Sequence, residues 1–175
     1  IIYGSNSVIY GSDAIGGVVH YETKSPLFKS EIDSINNNNA NAYVRYATAN
    51  QEKTGHFDLN LGSKKIAAIT SVTFSDFDDL KMGKTVNSSY PEFGIVRNYA
   101  GRVDGKDVSI RKEDYTKQIG TGYSQLDLLE KISFKASDNF LLTLNTQYST
   151  SSDVPRYDQL TDLESNQDFK WAEWY

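Results

Sequence analysis

Few residues in this chain combine a type and a spacing that chemistry requires. Cysteine is absent and the only histidines are His20 and His56, which excludes a disulfide scaffold and any cysteine-ligated zinc or iron–sulfur centre. The two histidines have no metal-ligand spacing; His56 alternates with Asp58 and Asn60 and reads as one hydrophilic position on the polar side of a strand. A candidate set of oxygen ligands for Ca2+ is formed by Asp76, Asp78 and Asp79 with Asp104 and Asp107. The competing reading is a solvated loop, because residues 76–117 hold eight acids against eight bases and carry no net field. Tyr90, Phe93, Tyr99 and Tyr115, with Arg156 and Tyr157 further on, are of the types that concentrate binding energy at contacts. They are candidates for gripping a substrate, and equally for packing one loop on another. No nucleophile, base and orienting group stand in a recognisable arrangement, so no enzyme activity is expected.

One glycine-rich segment deserves a test as a phosphate loop. Tyr10-Gly11-Ser12-Asp13-Ala14-Ile15-Gly16-Gly17 has the Gly-x4-Gly spacing, but the Lys and Ser/Thr that should follow are Gly17 and Val18. A dinucleotide fingerprint fails as well, for want of Gly-x-Gly. What remains is a tight turn ahead of a short strand over Val18–Thr23, with Gly16 and Gly17 permitting close backbone approach.

The elements around these residues are strands. The 175 residues contain 38% hydrophobic residues with Tyr counted, and the formal net charge is -5, so the chain is poor in core-forming residues and has no basic patch for nucleic acid. Its longest aliphatic stretch, Ile66-Ala67-Ala68-Ile69, is far short of the roughly 20 residues of a membrane-spanning helix. A membrane β-barrel is not excluded by this, because its strands need only about 9–11 residues with alternate ones apolar. Alternation is what the chain shows. Ala42, Val44 and Tyr46 form one apolar set; Phe57, Leu59 and Leu61 a second; Ile66, Ala68, Val72 and Phe74 a third; Leu126, Leu128, Ile132 and Phe134 a fourth; Phe140, Leu142, Leu144 and Tyr148 a fifth. Asn36-Asn37-Asn38-Asn39 is a polar stretch with nothing to bury, which makes 26–39 a candidate linker.

Every second connection between these strands is short. Those at 63–65 and 136–139 fall on one side of an antiparallel sheet, while the loop over 78–118 and the one opening near 151 fall on the other. Short turns opposite long loops describe an outer-membrane barrel, and a forty-residue loop is uncommon in a compact soluble domain. A soluble antiparallel sandwich that binds glycan or protein is the rival, since it alternates in the same way. Glu130 favours that rival, because it falls on the Leu128/Ile132 face, where lipid would make an acid costly.

The stretch Ser7-Val8-Ile9-Tyr10-Gly11-Ser12-Asp13-Ala14-Ile15-Gly16-Gly17-Val18-Val19, followed by Thr23-Lys24, resembles the end of the plug domain of TonB-dependent outer-membrane receptors. Thirteen contiguous residues match in type; His20 departs from the Asn usual there. Weaker similarity, over Tyr99 to Asp107 with Asp104-Gly105 as a type I′ turn, Gln118 to Tyr123, Asp153 to Leu160 and Trp171 to Tyr175, is to members from Bacteroidetes-type bacteria.

The resemblance implies an all-β fold: an antiparallel transmembrane β-barrel, of which this chain holds a fragment of about five strands, preceded by the C-terminal end of a plug. Residues 1–25 would be the plug end, 26–39 the linker, and 40–175 the first strands and extracellular loops. The absence of an initiator Met and the start on Ile1-Ile2-Tyr3 lead to the same expectation, a piece of a longer protein. The implied function is import across the bacterial outer membrane of haem or another iron carrier, with cobalamin as the alternative cargo. Implied partners are the TonB–ExbB–ExbD energy-transducing complex, outer-membrane lipid and a surface lipoprotein. No catalytic cofactor is implied, and calcium in the extracellular loops is consistent with the family.

Overall fold

A computed structural model describes residues 2–3, 7–11, 17–29, 38–83, 85–161, 170 and 172. In chain order the elements are β1 (Ile2–Tyr3), α1 (Ser7–Tyr10), β2 (Gly17–Val18), β3 (Asn39–Ala47), β4 (Glu52–Gly62), β5 (Ile66–Phe77), β6 (Leu80–Lys81), β7 (Asn98–Val103), β8 (Lys106–Arg111), β9 (Lys117–Gln118), β10 (Tyr123–Ser137), β11 (Phe140–Ser151) and α2 (Tyr157–Leu160). The chain is therefore all-β and antiparallel, as its alternation predicts. The five apolar sets fall on β3, β4, β5, β10 and β11, and these form one five-stranded sheet in the order β11-β10-β5-β4-β3. Each strand pairs with its neighbour in the sheet's own sequence, as in a meander, with the 78–122 excursion inserted between β5 and β10.

That excursion is folded. β7 and β8 form a hairpin in the register Asn98↔Arg111 to Val103↔Lys106. Its turn, Asp104-Gly105, has φ of 49° and 76°, the two positive values that a type I′ turn needs and that an Asp-Gly pair tolerates. β6 pairs with β9 and closes the base of the excursion beside β5 and β10.

The expected strand over Val18–Thr23 is a correction. Regular pairing stops at Val18, where β2 meets β1, and residues 19–29 run as irregular chain. Their hydrogen bonds go to the sheet instead. Leu27 N–H donates to Asn60 Oδ1 at 3.0 Å, and Lys29 N–H to the Ser63 carbonyl at 3.1 Å. Pro26 is buried, so residues 26–29 of the expected linker lie against the sheet; 30–37 lie outside the described residues. The approach is close at Gly62, where an added Cβ would stand 2.0 Å from the Leu27 carbonyl oxygen, so only glycine leaves room for the crossing backbone.

Burial is the reverse of a soluble protein's. Among the described residues the buried hydrophobic side chains are Ala67 and Ile69, whereas Glu52, Thr54, Asp58, Asn60, Ser75, Lys131 and Ser133 of the sheet are buried polar ones. Registers Phe57↔Val72↔Leu128↔Tyr148 and Leu61↔Ala68↔Ile132↔Leu144 put the apolar sets of β4, β5, β10 and β11 on one common face. On it Phe57, Leu61, Ile66, Phe74, Leu128, Ile132, Phe134, Phe140, Leu142, Leu144 and Tyr148 are exposed, and Leu59 is half-buried. Glu130 belongs to this face too. It has a partner there: the Thr70 hydroxyl, directly across the ladder, donates to its carboxylate at 2.6 Å.

Candidate functional site

Two polar assemblies arise from this fold, one on the covered face of the sheet and one in the folded excursion. On the covered face, alternate residues of β4 meet the irregular 19–29 segment and neighbouring strands. Asp58, almost fully buried, accepts from the Lys24 ammonium and from the Asn41 amide, each at 3.0 Å, and lies 3.1 Å from His56 Nε2. His56 Nδ1 meets the Thr73 hydroxyl at 2.7 Å, and its ring stacks on Tyr43 with centroids 4.7 Å apart. With its proton on Nε2, the imidazole donates to Asp58 and accepts from Thr73, so both ring nitrogens are occupied by this network. On β10, Lys131 donates to the Thr23 hydroxyl at 2.7 Å and to its carbonyl at 3.2 Å. Side chains of two strands therefore clamp Thr23, Lys24 and Leu27. A buried charge is tolerated when it is paired and hydrogen-bonded, and that condition is met at Asp58.

In the excursion, Asp79 organises the chain around β6 and β9. Its Oδ1 accepts the successive N–H groups of Gly120, Thr121 and Gly122 at 2.8, 2.9 and 3.2 Å, and its Oδ2 lies 3.5 Å from Lys117 Nζ. Three convergent amides make an anion nest, and here the chain fills it with its own carboxylate. Asp78 accepts from the Asp79 N–H at 2.7 Å and from Lys117 at 3.4 Å; these bonds, the first above all, hold its carboxyl below the usual carboxylate range. Asp114 takes the Lys81 ammonium at 2.5 Å and both the hydroxyl and N–H of Thr116, and is driven down further. Asp107 is lowered by Arg102 and by the Ala172 N–H.

The carboxylates proposed as calcium ligands are thus engaged separately. Asp76 pairs with Lys53, Asp78 and Asp79 with Lys117, and Asp107 with Arg102, while Asp104 serves the hairpin turn. No group of three such metal ligands is assembled among the described residues.

The six candidate substrate contacts divide three ways. Tyr90 and Phe93 are exposed and, with Met82 and Val86, line a hollow of about 420 Å³ on the outside of the excursion. Tyr115 is held between two arginines: Arg97 lies 5.2 Å from its ring centroid, and Arg111 donates to its hydroxyl at 2.9 and 2.6 Å. Arg156 forms a two-point pair with Asp158 at 3.3 and 2.6 Å. Tyr99 and Tyr157 come together, lining a cavity of about 180 Å³ between the β7–β8 hairpin, the β9 turn and α2.

That cavity contains a residue sequence reasoning missed. Lys112 is 3% exposed, and its ammonium donates to the Lys117 carbonyl at 3.0 Å. Burial pushes its pKa down from the ordinary lysine value, against the pull of Asp79. In the same cavity, the Tyr157 hydroxyl is buried with no hydrogen-bond partner among the described residues, and burial, reinforced by Asp79, pushes its pKa up. Nothing local marks Lys112, which directly follows the hairpin strand β8; it shares the cavity wall with Ile119 and Tyr157, which come from other parts of the chain.

The junction motif is described only at its ends. Tyr10 and Gly11 are exposed and Gly17 opens β2, while Ser12, Asp13, Ala14, Ile15 and Gly16 lie outside the described residues. Compared with known proteins, the chain matches no family model, no curated protein and no solved structure.

Proposed function

We propose that the chain is the plug end and first barrel strands of a TonB-dependent outer-membrane transporter that imports a scarce nutrient, with haem or another iron carrier as the cargo. The observation that carries this reading is the reversed burial of the sheet: residues 19–29 lie over the polar face at β4 and β10, where polar side chains are buried, and the apolar face is left open. An apolar face of this extent on a protein surface marks a membrane or an interaction site, and a barrel wall needs apolar residues outward and polar ones toward the lumen. Ile66 and Phe74 are eight residues apart on β5; at roughly 3.4 Å per residue and a tilt of about 40° they span about 20 Å of height, near the ~25 Å apolar band of such barrels. Residues 19–29 run to the short-turn end of the sheet, where Lys29 meets Ser63, which supports reading them as a plug segment leaving the lumen. The sheet's outer strands β3 and β11 carry edges unpaired among the described residues, which closure of a full barrel would satisfy. The choice of cargo rests on the sequence resemblance alone.

The test is uptake. Deleting the full-length gene is expected to abolish import of haem but not of cobalamin, and collapse of the inner-membrane proton gradient should abolish it in the parent strain. A full-length protein that purifies without detergent and leaves import unchanged when deleted contradicts the proposal and favours the sandwich, whose second sheet would cover the same apolar face.

A further inference from the structure

Lys112 is an ammonium group taken out of water with no carboxylate paired to it among the described residues. It forms no ion pair among the described residues, and its one hydrogen bond goes to a neutral carbonyl. The Asp79 carboxylate that acts on it is already held by three amides and by Lys117. Burying a charge is costly unless it is paired, and a buried hydroxyl without a partner adds a further penalty. Both unsettled groups, Lys112 and Tyr157, line the same cavity.

The size and walls of the cavity narrow what would settle them. Its volume of about 180 Å³ equals the liquid share of roughly six waters at ~30 Å³ each, too small for a drug-sized ligand, whose pockets start near 300 Å³. Water would satisfy the hydroxyl but would bring no charge to the lysine. A carboxylate would do both, since it offers two acceptor oxygens to two donors and a single negative charge to a single positive one. Phosphate has more acceptor positions than these donors fill. The rest of the lining includes Ala100, Ile119, Leu160 and the Tyr99 ring, a surface for a short hydrocarbon stem.

We propose that this cavity binds a carboxylate carried on a short apolar stem, with the Lys112 ammonium and the Tyr157 hydroxyl as its two donors. The stem belongs either to a free short-chain acid or to one arm of a larger molecule resting on the loops. The site stands on the cavity's own chemistry and does not depend on the chain being part of a transporter.

Direct binding to the purified full-length protein tests it, with butyrate as the probe, read by saturation-transfer NMR. Butyrate is expected to bind, n-butanol and n-butylamine are not, and inorganic phosphate should not displace butyrate. Lys112→Met should weaken binding at least about tenfold, the scale of a lost hydrogen bond between charged groups. Tyr157→Phe, which removes one oxygen, should weaken it about threefold. Thermal unfolding of both variants checks the fold, and Lys112→Met should unfold no earlier than the parent because it removes an unpaired buried charge. A butyrate tethered through its far carbon to polyethylene glycol distinguishes the sources: retained binding assigns the site to the arm of a larger ligand, and loss of binding by the tethered form alone assigns it to a free acid. Absence of butyrate binding to the parent protein at millimolar concentration, equal binding of butanol, or unchanged binding by Lys112→Met would each overturn the proposal.

Discussion

Along β4 the even-numbered side chains from Glu52 to Asn60 are buried or half-buried and polar, while the odd-numbered ones include the exposed Phe57 and Leu61. The two faces of one strand thus invert the usual rule, and the contrast continues across β5 and β10. Asn60 is 2% exposed and Phe74 is 52% exposed. Alternation alone says that a strand has two unlike faces. The cover decides which face is inside, and here residues 19–29 lie on the polar one. A soluble sheet left in this state would carry an uncovered apolar face and a buried polar network, the reverse of what water favours. The proposed barrel, with lipid outside and a polar lumen inside, would remove the contradiction.

Adjacent residues break this comparison most sharply. Leu144 and Asn145 on β11 pair with Ile132 and Lys131 and so face opposite sides. In the full-length protein folded into bilayers, Leu144→Arg is expected to cost about 2–3 kcal/mol in urea unfolding, and Asn145→Arg close to nothing. Equal costs would remove the distinction between the faces.

A pair of glycines on β4 tests the cover. Gly62→Ala places a methyl group against the Leu27 carbonyl, whereas a methyl group at Gly55 meets nothing within 4 Å. The first should cost about 1–3 kcal/mol through overpacking and expose residues 24–29 to protease. Gly55→Ala should be neutral or stabilising, since glycine inside a strand costs roughly 0.5–1 kcal/mol relative to alanine.

Acid separates the excursion from the sheet's outer face, which is apolar over most of its extent. Asp78 and Asp114 ionise more readily when folded than at the ordinary value of 3.8. Their contribution is therefore complete above that value and is lost as pH falls through the lowered folded values. Amide protection at Lys81, Met82 and Thr116 should drop between about pH 4 and pH 2, as measured by hydrogen exchange corrected for intrinsic rate. Protection that is flat over this range would mean that the Lys81–Asp114 pair does not hold the base of the excursion.

The smallest effect is expected at Glu130. Glu130→Gln keeps an acceptor for the Thr70 hydroxyl and removes the charge on the apolar face, so stability in bilayers should rise by less than about 1 kcal/mol. A marked loss would assign the carboxylate a role that its bond to Thr70 does not explain.

What was legible in the sequence was local. Period-two alternation located β3, β4, β5, β10 and β11, and Asp104-Gly105 declared its hairpin, because strand faces and turn angles are set by residues within reach of one another. Val18–Thr23 looked like a strand for the same local reason. Beyond Val18 it has no ladder partner among the described residues, and Thr23 at its end is held by Lys131 instead. The cavity was half legible. Tyr99 and Tyr157 drew notice by type, but that they share one cavity with Lys112 depends on chain closing across some sixty residues. The carboxylates beside the loop suggest a metal by clustering in sequence, while in space Asp76, Asp78, Asp79 and Asp107 each have a lysine, an arginine or a backbone amide as partner and Asp104 serves the hairpin turn.

The central claim concerns which way the sheet faces, and neighbouring spin labels on β11 measure it directly. In the full-length protein in bilayers, a label at Leu142 should be relaxed by oxygen dissolved in lipid and little by a water-soluble nickel chelate, and a label at Thr143 should show the opposite. If the label at Leu142 reports water, the exposed apolar face does not meet lipid and the barrel reading is wrong.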